Sequence, residues 1–229
     1  MQLYETYRPR HIGDMVGCDK LKQQVQCLRD HGGLAGRAYW ISGLSGQGKS
    51  TAAWAIAREL ADEWATEECN GANIVHSGEG HEPGRPAILR WERESYTKPL
   101  GRGHWVKIIN EAHAMRSPIV TDLLTLLELP TVQRNMTFIF TTNAKGGFTT
   151  NKKGDIVFAE ECQGSPFPSR LEVLQVWVDI SDGAAWLRQV ATAEGLNGKP
   201  LEAYVQLFRE CHLNLRECLA RIGRGEMLK

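Results

Sequence analysis

Residues Gly43 to Ser50 read G-L-S-G-Q-G-K-S, between an apolar run, A-Y-W-I-S, and a stretch rich in Ala, Ile and Leu. Few folds accommodate that order. Glycines let consecutive backbone N–H groups curl around a phosphate, and a helix starting at Lys49 aims its positive end at the same point. The Lys49 ammonium reaches outer phosphates, and the Ser50 hydroxyl is a magnesium ligand in such loops. A loop of this kind needs a buried strand before it and a helix after it. The reading is an α/β chain that binds a nucleoside triphosphate, although small-molecule kinases share the loop with many other classes.

The remaining pattern extends that architecture. A helix is expected over Asp19 to Asp30, where Leu21, Val25 and Leu28 fall on one face. Strands are expected from Arg37 into the glycine turn, over Val106 to Ile109, Met136 to Thr142 and Leu171 to Val178. Helices are expected from Lys49 to about Trp64, Ala87 to Tyr96 and Pro118 to Leu127, the last with Ser117 as cap and Pro118 in its first turn. Glu67 to Pro83 reads as loop, with a strand at Asn73 to His76. Alternating strands and helices argue for a parallel sheet with right-handed crossovers. After Asp179 only helices are expected, over Ala184 to Glu194, Leu201 to Glu210 and Leu213 to Ile222. The expected division is an α/β domain over residues 1–179 and a small all-helical domain over 180–229.

Composition narrows the partners. Lys+Arg and Asp+Glu are both 27, so nucleic-acid contact would need a local basic patch. Gly84 to Lys107 supplies one, with six bases (Arg85, Arg90, Arg93, Lys98, Arg102, Lys107) against Glu92 and Glu94. Glu59 to Glu68 carries five acids and no base. The six cysteines form neither a disulfide framework nor a zinc pattern, which points to reduced thiols and a cytoplasmic setting. No apolar run approaches a membrane span, and the N-terminus has no signal-peptide character.

Taken in order, Y-R-P-R at Tyr7 to Arg10, V-G at Val16-Gly17, the phosphate loop, I-I-N-E-A-H at Ile108 to His113, F-T-T-N ending at Asn143, P-S-R at Pro168 to Arg170 and N-L-R at Asn214 to Arg216 resemble an AAA+ ATPase. More narrowly, they are similar to the subunits of replication clamp loaders. The resemblance implies a P-loop NTPase sheet followed by a helical lid, with ATP and magnesium as ligands. It implies that Tyr7, Arg8, Pro9, Val16 and Gly17 wrap the adenine and ribose, while Gly43, Leu44, Ser45, Gly46, Gln47, Gly48, Lys49, Ser50 and Thr51 hold the phosphates. Glu111 would be the general base that orients water, and Asn143 a sensor beside it. Arg170, after Ser169, would be an arginine finger into a neighbouring subunit, and Arg216 a second sensor on the lid. Arg90, Arg93 and Lys98 would meet DNA phosphates. The implied partners are further AAA+ subunits, identical or different, with DNA and a sliding clamp, and no membrane.

Three departures from that pattern stand out. Where the family carries Asp, this chain has Asn110, which keeps the shape and an acceptor oxygen but loses a charge. The expectation is a weaker magnesium site, completed through water, with hydrolysis retained. The connection from Ala144 to Pro168 is 25 residues long, and two β-prone arms flank Asn151 to Asp155 within it, a hairpin signal. Its tip lysines, Lys152 and Lys153, would touch DNA or a neighbouring subunit, or simply face solvent. The collar domain of clamp-loader subunits has no counterpart before Lys229, so assembly is expected through the ATPase modules alone or with a collar from other chains. The readings left open are a clamp-loader-like ATPase, a branch-migration type of DNA motor, and a nucleotide-gated scaffold with little turnover.

Overall fold

The computed structural model describes residues 2–74, 87–101, 103–115, 117–143, 149–150, 156–157 and 170–228. A short helix α1 (Leu3–Thr6) precedes α2 (Asp19–Asp30), and β1 (Ala38–Ser42) leads through the glycine loop into α3 (Lys49–Leu60). There follow β2 (Thr66–Asn70), α4 (Ala87–Ser95), β3 (Trp105–Asn110), α5 (Ser117–Glu128), α6 (Pro130–Asn135) and β4 (Met136–Thr142). After the small strands β5 (Thr149–Thr150) and β6 (Ile156–Val157) come β7 (Glu172–Gln175), α7 (Ile180–Ala193), α8 (Leu201–Glu210) and α9 (Leu215–Gly223). Among the described residues the main sheet has five strands in the order β2-β3-β4-β1-β7, and all its pairings are parallel.

Strand periodicity splits the core into two layers. Tyr39 and Ile41 of β1, Val106 and Ile108 of β3, and Ile139 of β4 face α2, α3 and the C-terminal helices. Alternate positions Ala38, Trp40, Ile109, Phe138 and Phe140 pack against α4, α5 and α6. The sheet is covered on both faces, so β1 and β4 are buried along their whole length and are apolar apart from Ser42 and the threonines Thr137, Thr141 and Thr142. Helices α7, α8 and α9 form a C-terminal lid, with Leu187, Leu207, Phe208, Cys218 and Leu219 joining the first layer.

Several boundaries differ from the sequence reading, each for a local reason. Helix α3 stops at Leu60 rather than near Trp64: Ala61 is extended (φ −145°, ψ 156°), and carboxylates at Glu59, Asp62 and Glu63 crowd the negative end of the helix. The strand expected at Asn73 to His76 lies earlier, at Thr66–Asn70. Gly71–Asn73 is instead a single 3-10 turn, and Val75 and His76 lie outside the described residues. Among the described residues the displaced strand pairs only with β3, so none of its side chains is fully buried and its acidic sequence imitates a loop. Helix α9 begins at Leu215, not Leu213, because His212 and Leu213 are left-handed (φ 51° and 63°) and Asn214 caps the helix. The arms of the expected hairpin pair antiparallel, Thr149 with Val157 and Thr150 with Ile156; Asn151 to Asp155 lie outside the described residues.

Candidate nucleotide site

The loop turns where the sequence demands it. Gly46 (φ 73°) and Gly48 (φ 102°) are left-handed, and Gly48 is the residue from which α3 starts. Lys49, on the first turn, is 7% exposed and donates to the Leu44 carbonyl at 2.9 Å. Burial pulls its pKa below the ordinary lysine value, with the Glu111 charge opposing that shift and Arg216 adding to it. Gln47 is 1% exposed, and its amide oxygen and nitrogen find no hydrogen-bond partner among the described residues. A buried unsatisfied amide is costly, so Gln47 beside the cavity fits a polar occupant.

Strand β3 delivers Asn110 and Glu111 to the same end of the sheet, one strand away from β4 and two from the loop. The Asn110 Oδ1 atom accepts from Ser50 Oγ at 3.3 Å and from Thr141 Oγ1 at 2.8 Å. Its Nδ2 group donates to Glu68 on β2. Glu111 adopts a left-handed backbone (φ 51°, ψ 45°), a conformation that costs a non-glycine residue about 1–2 kcal/mol. Its carboxylate accepts both contacts of the Asn143 amide, at 3.2 and 2.9 Å. His113 Nε2 lies 3.4 Å from the same carboxylate, and its Nδ1 is 3.1 Å from Thr142 Oγ1. His113 is a neighbour that motif spacing alone does not single out.

One cavity gathers most of the expected residues. Tyr7, Arg8, Pro9 and Val16 line it together with Ser45 to Thr51, Glu111, Asn143 and Arg216. The remaining walls include Tyr4, Met15, Cys18, Val178, Trp186, Leu215 and Leu219. These are ordinary core residue types, so helical periodicity could not separate them from packing. Gly17, Gly43, Leu44 and Asn110 do not line the cavity. Gly17 packs against Asp182 and Val178, and Asn110 reaches the site through Ser50. The Tyr7 hydroxyl donates to Glu194, just past the end of α7, at 2.8 Å, while Arg216 lies 5.8 Å from the Tyr4 ring.

Other candidates lie elsewhere. Arg170 precedes β7 and borders a separate hollow beside Arg37 and Glu128, where it pairs with Glu128. Since Tyr39, at the start of β1, pairs with Glu172, Arg170 sits at the opposite end of the strands from the loop. Ser169 is outside the described residues. Arg93 on α4 and Lys98 just beyond it are exposed. Arg90 is held by Glu67 and, at 3.7 Å, Glu94. Lys107 leaves the basic surface altogether: its side chain is 3% exposed and bridges Glu67 at 2.9 Å and Glu94 at 2.5 Å. The patch counted along the sequence is therefore partly neutralised inside the fold.

No family model matches the chain, and neither does any curated protein sequence. Among solved structures it is similar to variants of RuvB from Thermotoga maritima. One aligns with a TM-score of 0.66 at 16% identity, over 95% of this chain and 65% of RuvB. Two others align with TM-scores of 0.65 at 15% and 17% identity, each over 95% of this chain and 64% of RuvB. At such identity the likeness speaks to the fold alone: a parallel sheet in this strand order, flanked by helices and followed by a helical lid, as in RuvB. The chain spans less than two thirds of the length of the RuvB chains it matches. Among the described residues, no helix is long and apolar enough to cross a membrane.

Proposed function

We propose that this chain is a clamp-loader-like AAA+ ATPase, coupling ATP binding and hydrolysis to the handling of DNA or a sliding clamp. One observation carries the reading: the Glu111 carboxylate, held by the Asn143 amide, shares a cavity with Lys49, Ser50 and Arg216. Phosphoryl transfer requires positioning and charge rather than covalent chemistry from the protein.

The residues divide that work. Loop N–H groups and Lys49 bind the phosphates, and the buried ammonium has little water to compete for it. Glu111 takes a proton from the attacking water, and Asn143 fixes which way the carboxylate faces. Ser50 and Asn110 would hold a magnesium ion, Ser50 directly and Asn110 through water. When bound there, magnesium would supply charge neutralisation on the outer phosphates. Arg216 reports the phosphates to the lid, while Tyr7, bonded to Glu194, ties the N-terminal strap to the same helices. Arg170, remote from its own loop, serves a neighbour's site in an oligomer, where such an arginine is worth roughly 10³–10⁵ in rate. Arg93 and Lys98 offer DNA phosphates two exposed cations, which would make that binding salt-dependent.

Asn110 favours one second reading, a nucleotide-gated scaffold with little turnover. ATPase rate with and without primer-template DNA, measured beside solution mass in ATP, separates the two. DNA-stimulated turnover by an oligomer supports the ATPase; assembly in ATP without turnover supports the scaffold. A DNA motor of the branch-migration type would instead be stimulated by branched DNA over primer-template.

A further inference from the structure

The carboxylate missing at Asn110 has a neighbour that supplies one. Strands β2 and β3 run parallel with Glu68 opposite Ile108 and Asn70 opposite Asn110. Glu68 Oε1 accepts from Asn110 Nδ2, and Glu68 Oε2 accepts from Trp54 Nε1 at 2.9 Å. Trp54 lies one turn after Ser50 on α3, under the Arg58 guanidinium at 5.5 Å. Ser50 Oγ in turn donates to Asn110 Oδ1. The four side chains form a chain of contacts that starts at the expected magnesium ligand and ends on the same helix.

The direction of these bonds matters. Asn110 uses its amide as an asymmetric relay, with the oxygen turned to Ser50 and Thr141 and the nitrogen turned to Glu68. An aspartate could accept from the two hydroxyls equally well, but it has no N–H to donate and would place a second negative charge against Glu68. Asparagine is the residue that lets a carboxylate stand behind it. We infer that Glu68 is a positioning residue for the magnesium site, its charge acting through the Asn110 amide in place of the charge that position 110 lacks. The inference rests on the ATP-binding reading above. A carboxylate polarises the amide it accepts from and makes the amide oxygen a better acceptor for a magnesium-bound water. Because Glu68 is exposed, water and salt screen it, and the effect is modest and falls as ionic strength rises.

The test uses the full chain with a fluorescent ATP analogue, titrated with magnesium chloride. Three variants are compared with wild type: Glu68→Gln, Asn110→Asp, and the two together. Glu68→Gln keeps the shape and is expected to raise the magnesium midpoint about fivefold at low salt, with the difference fading near ~0.5 M salt. Asn110→Asp alone gains nothing over wild type, because the introduced carboxylate and Glu68 repel. The double variant, with the charge moved back to position 110, returns to within about twofold of wild type. Thermal unfolding of the nucleotide-free protein supplies an independent reading: Asn110→Asp lowers the melting temperature, and adding Glu68→Gln restores it. Equal midpoints for wild type and Glu68→Gln would overturn the inference. So would tighter magnesium binding by Asn110→Asp alone, with the two substitutions simply adding. Loss of analogue binding in Lys49→Ala, beside a silent Glu68→Gln, leaves the nucleotide reading standing and removes only this one. If the analogue does not bind wild type at all, both fall together.

Discussion

Replacing Gly46 with alanine sets the phosphate loop against the lid. A Cβ at that position would lie 1.8 Å from the Asn214 Oδ1 atom, and the Gly46 backbone is left-handed at φ 73°. Alanine in that conformation costs about 1–2 kcal/mol. The side chain in its way is not free to leave without loss, because Asn214 Oδ1 accepts from Glu217 N at 3.1 Å and caps α9. Losing such a cap costs about 1 kcal/mol. Gly46→Ala should therefore destabilise the chain by about 2–3 kcal/mol, and Asn214→Ala by about 1 kcal/mol. In the double variant the cap is already gone, so the total stays near the Gly46→Ala value and falls short of the sum by about 1 kcal/mol. Urea unfolding of the four proteins measures the cycle. Strict additivity would refute the argument, since it would mean that the loop and the lid do not meet at this point.

Two further outcomes follow from buried cations. Lys49 has a depressed pKa in the fold, chiefly through burial. The unfolded chain then binds more protons, so this residue's contribution to stability rises with pH between the lowered value and the ordinary one near ~10.4. Lys49→Met should be more stable than wild type at neutral pH without nucleotide, by a margin that shrinks towards pH ~10 in melts across that range; a constant margin would contradict it. Lys107→Met strands Glu67 and Glu94 and should cost about 3 kcal/mol in urea unfolding, at the low end for a buried pair because both carboxylates keep some water. Burial alone would raise the Glu67 carboxyl; Lys107, with help from Trp91 and Arg90, holds it below the usual carboxylate range. That stabilisation is present above the unfolded carboxylate pKa and is lost as pH falls through the folded one, so the variant should also lose part of its acid sensitivity.

How much of the fold is legible in the sequence follows from how each element is buried. Strands β1 and β4 have apolar cover on both faces, so short runs of bulky apolar residues (Tyr39 to Ile41, Phe138 to Phe140) mark them, and β4 falls on the expected residues. Helix α2 shows its buried face as Leu21 and Val25 at helical spacing and also falls where periodicity puts it. Strand β2 is hidden because an edge strand needs only one neighbour and tolerates T-E-E-C-N. Strand β7 is shorter than its apolar run, since Val176 and Val178 stay buried after its ladder ends at Gln175. At the site, Lys49, Ser50, Glu111 and Asn143 are legible because each stands at a fixed offset from a strand end. Glu68 is not, because its partner Asn110 lies on another strand and only the register joins them. Trp186 and Leu219 are equally hidden, because a cavity wall and a core use the same side chains.

In the proposed function one cavity both binds ATP and cleaves it with the Glu111 carboxylate. Glu111→Gln keeps the shape and the Asn143 contact at its oxygen while removing the base. The deciding measurement is ATP affinity and phosphate release on the same protein samples, in magnesium and under the assembly conditions that give the highest wild-type rate. Glu111→Gln should bind ATP within about threefold of wild type and release phosphate more slowly than wild type by ~10²-fold or more. Unchanged phosphate release in Glu111→Gln, with ATP still bound, would contradict it.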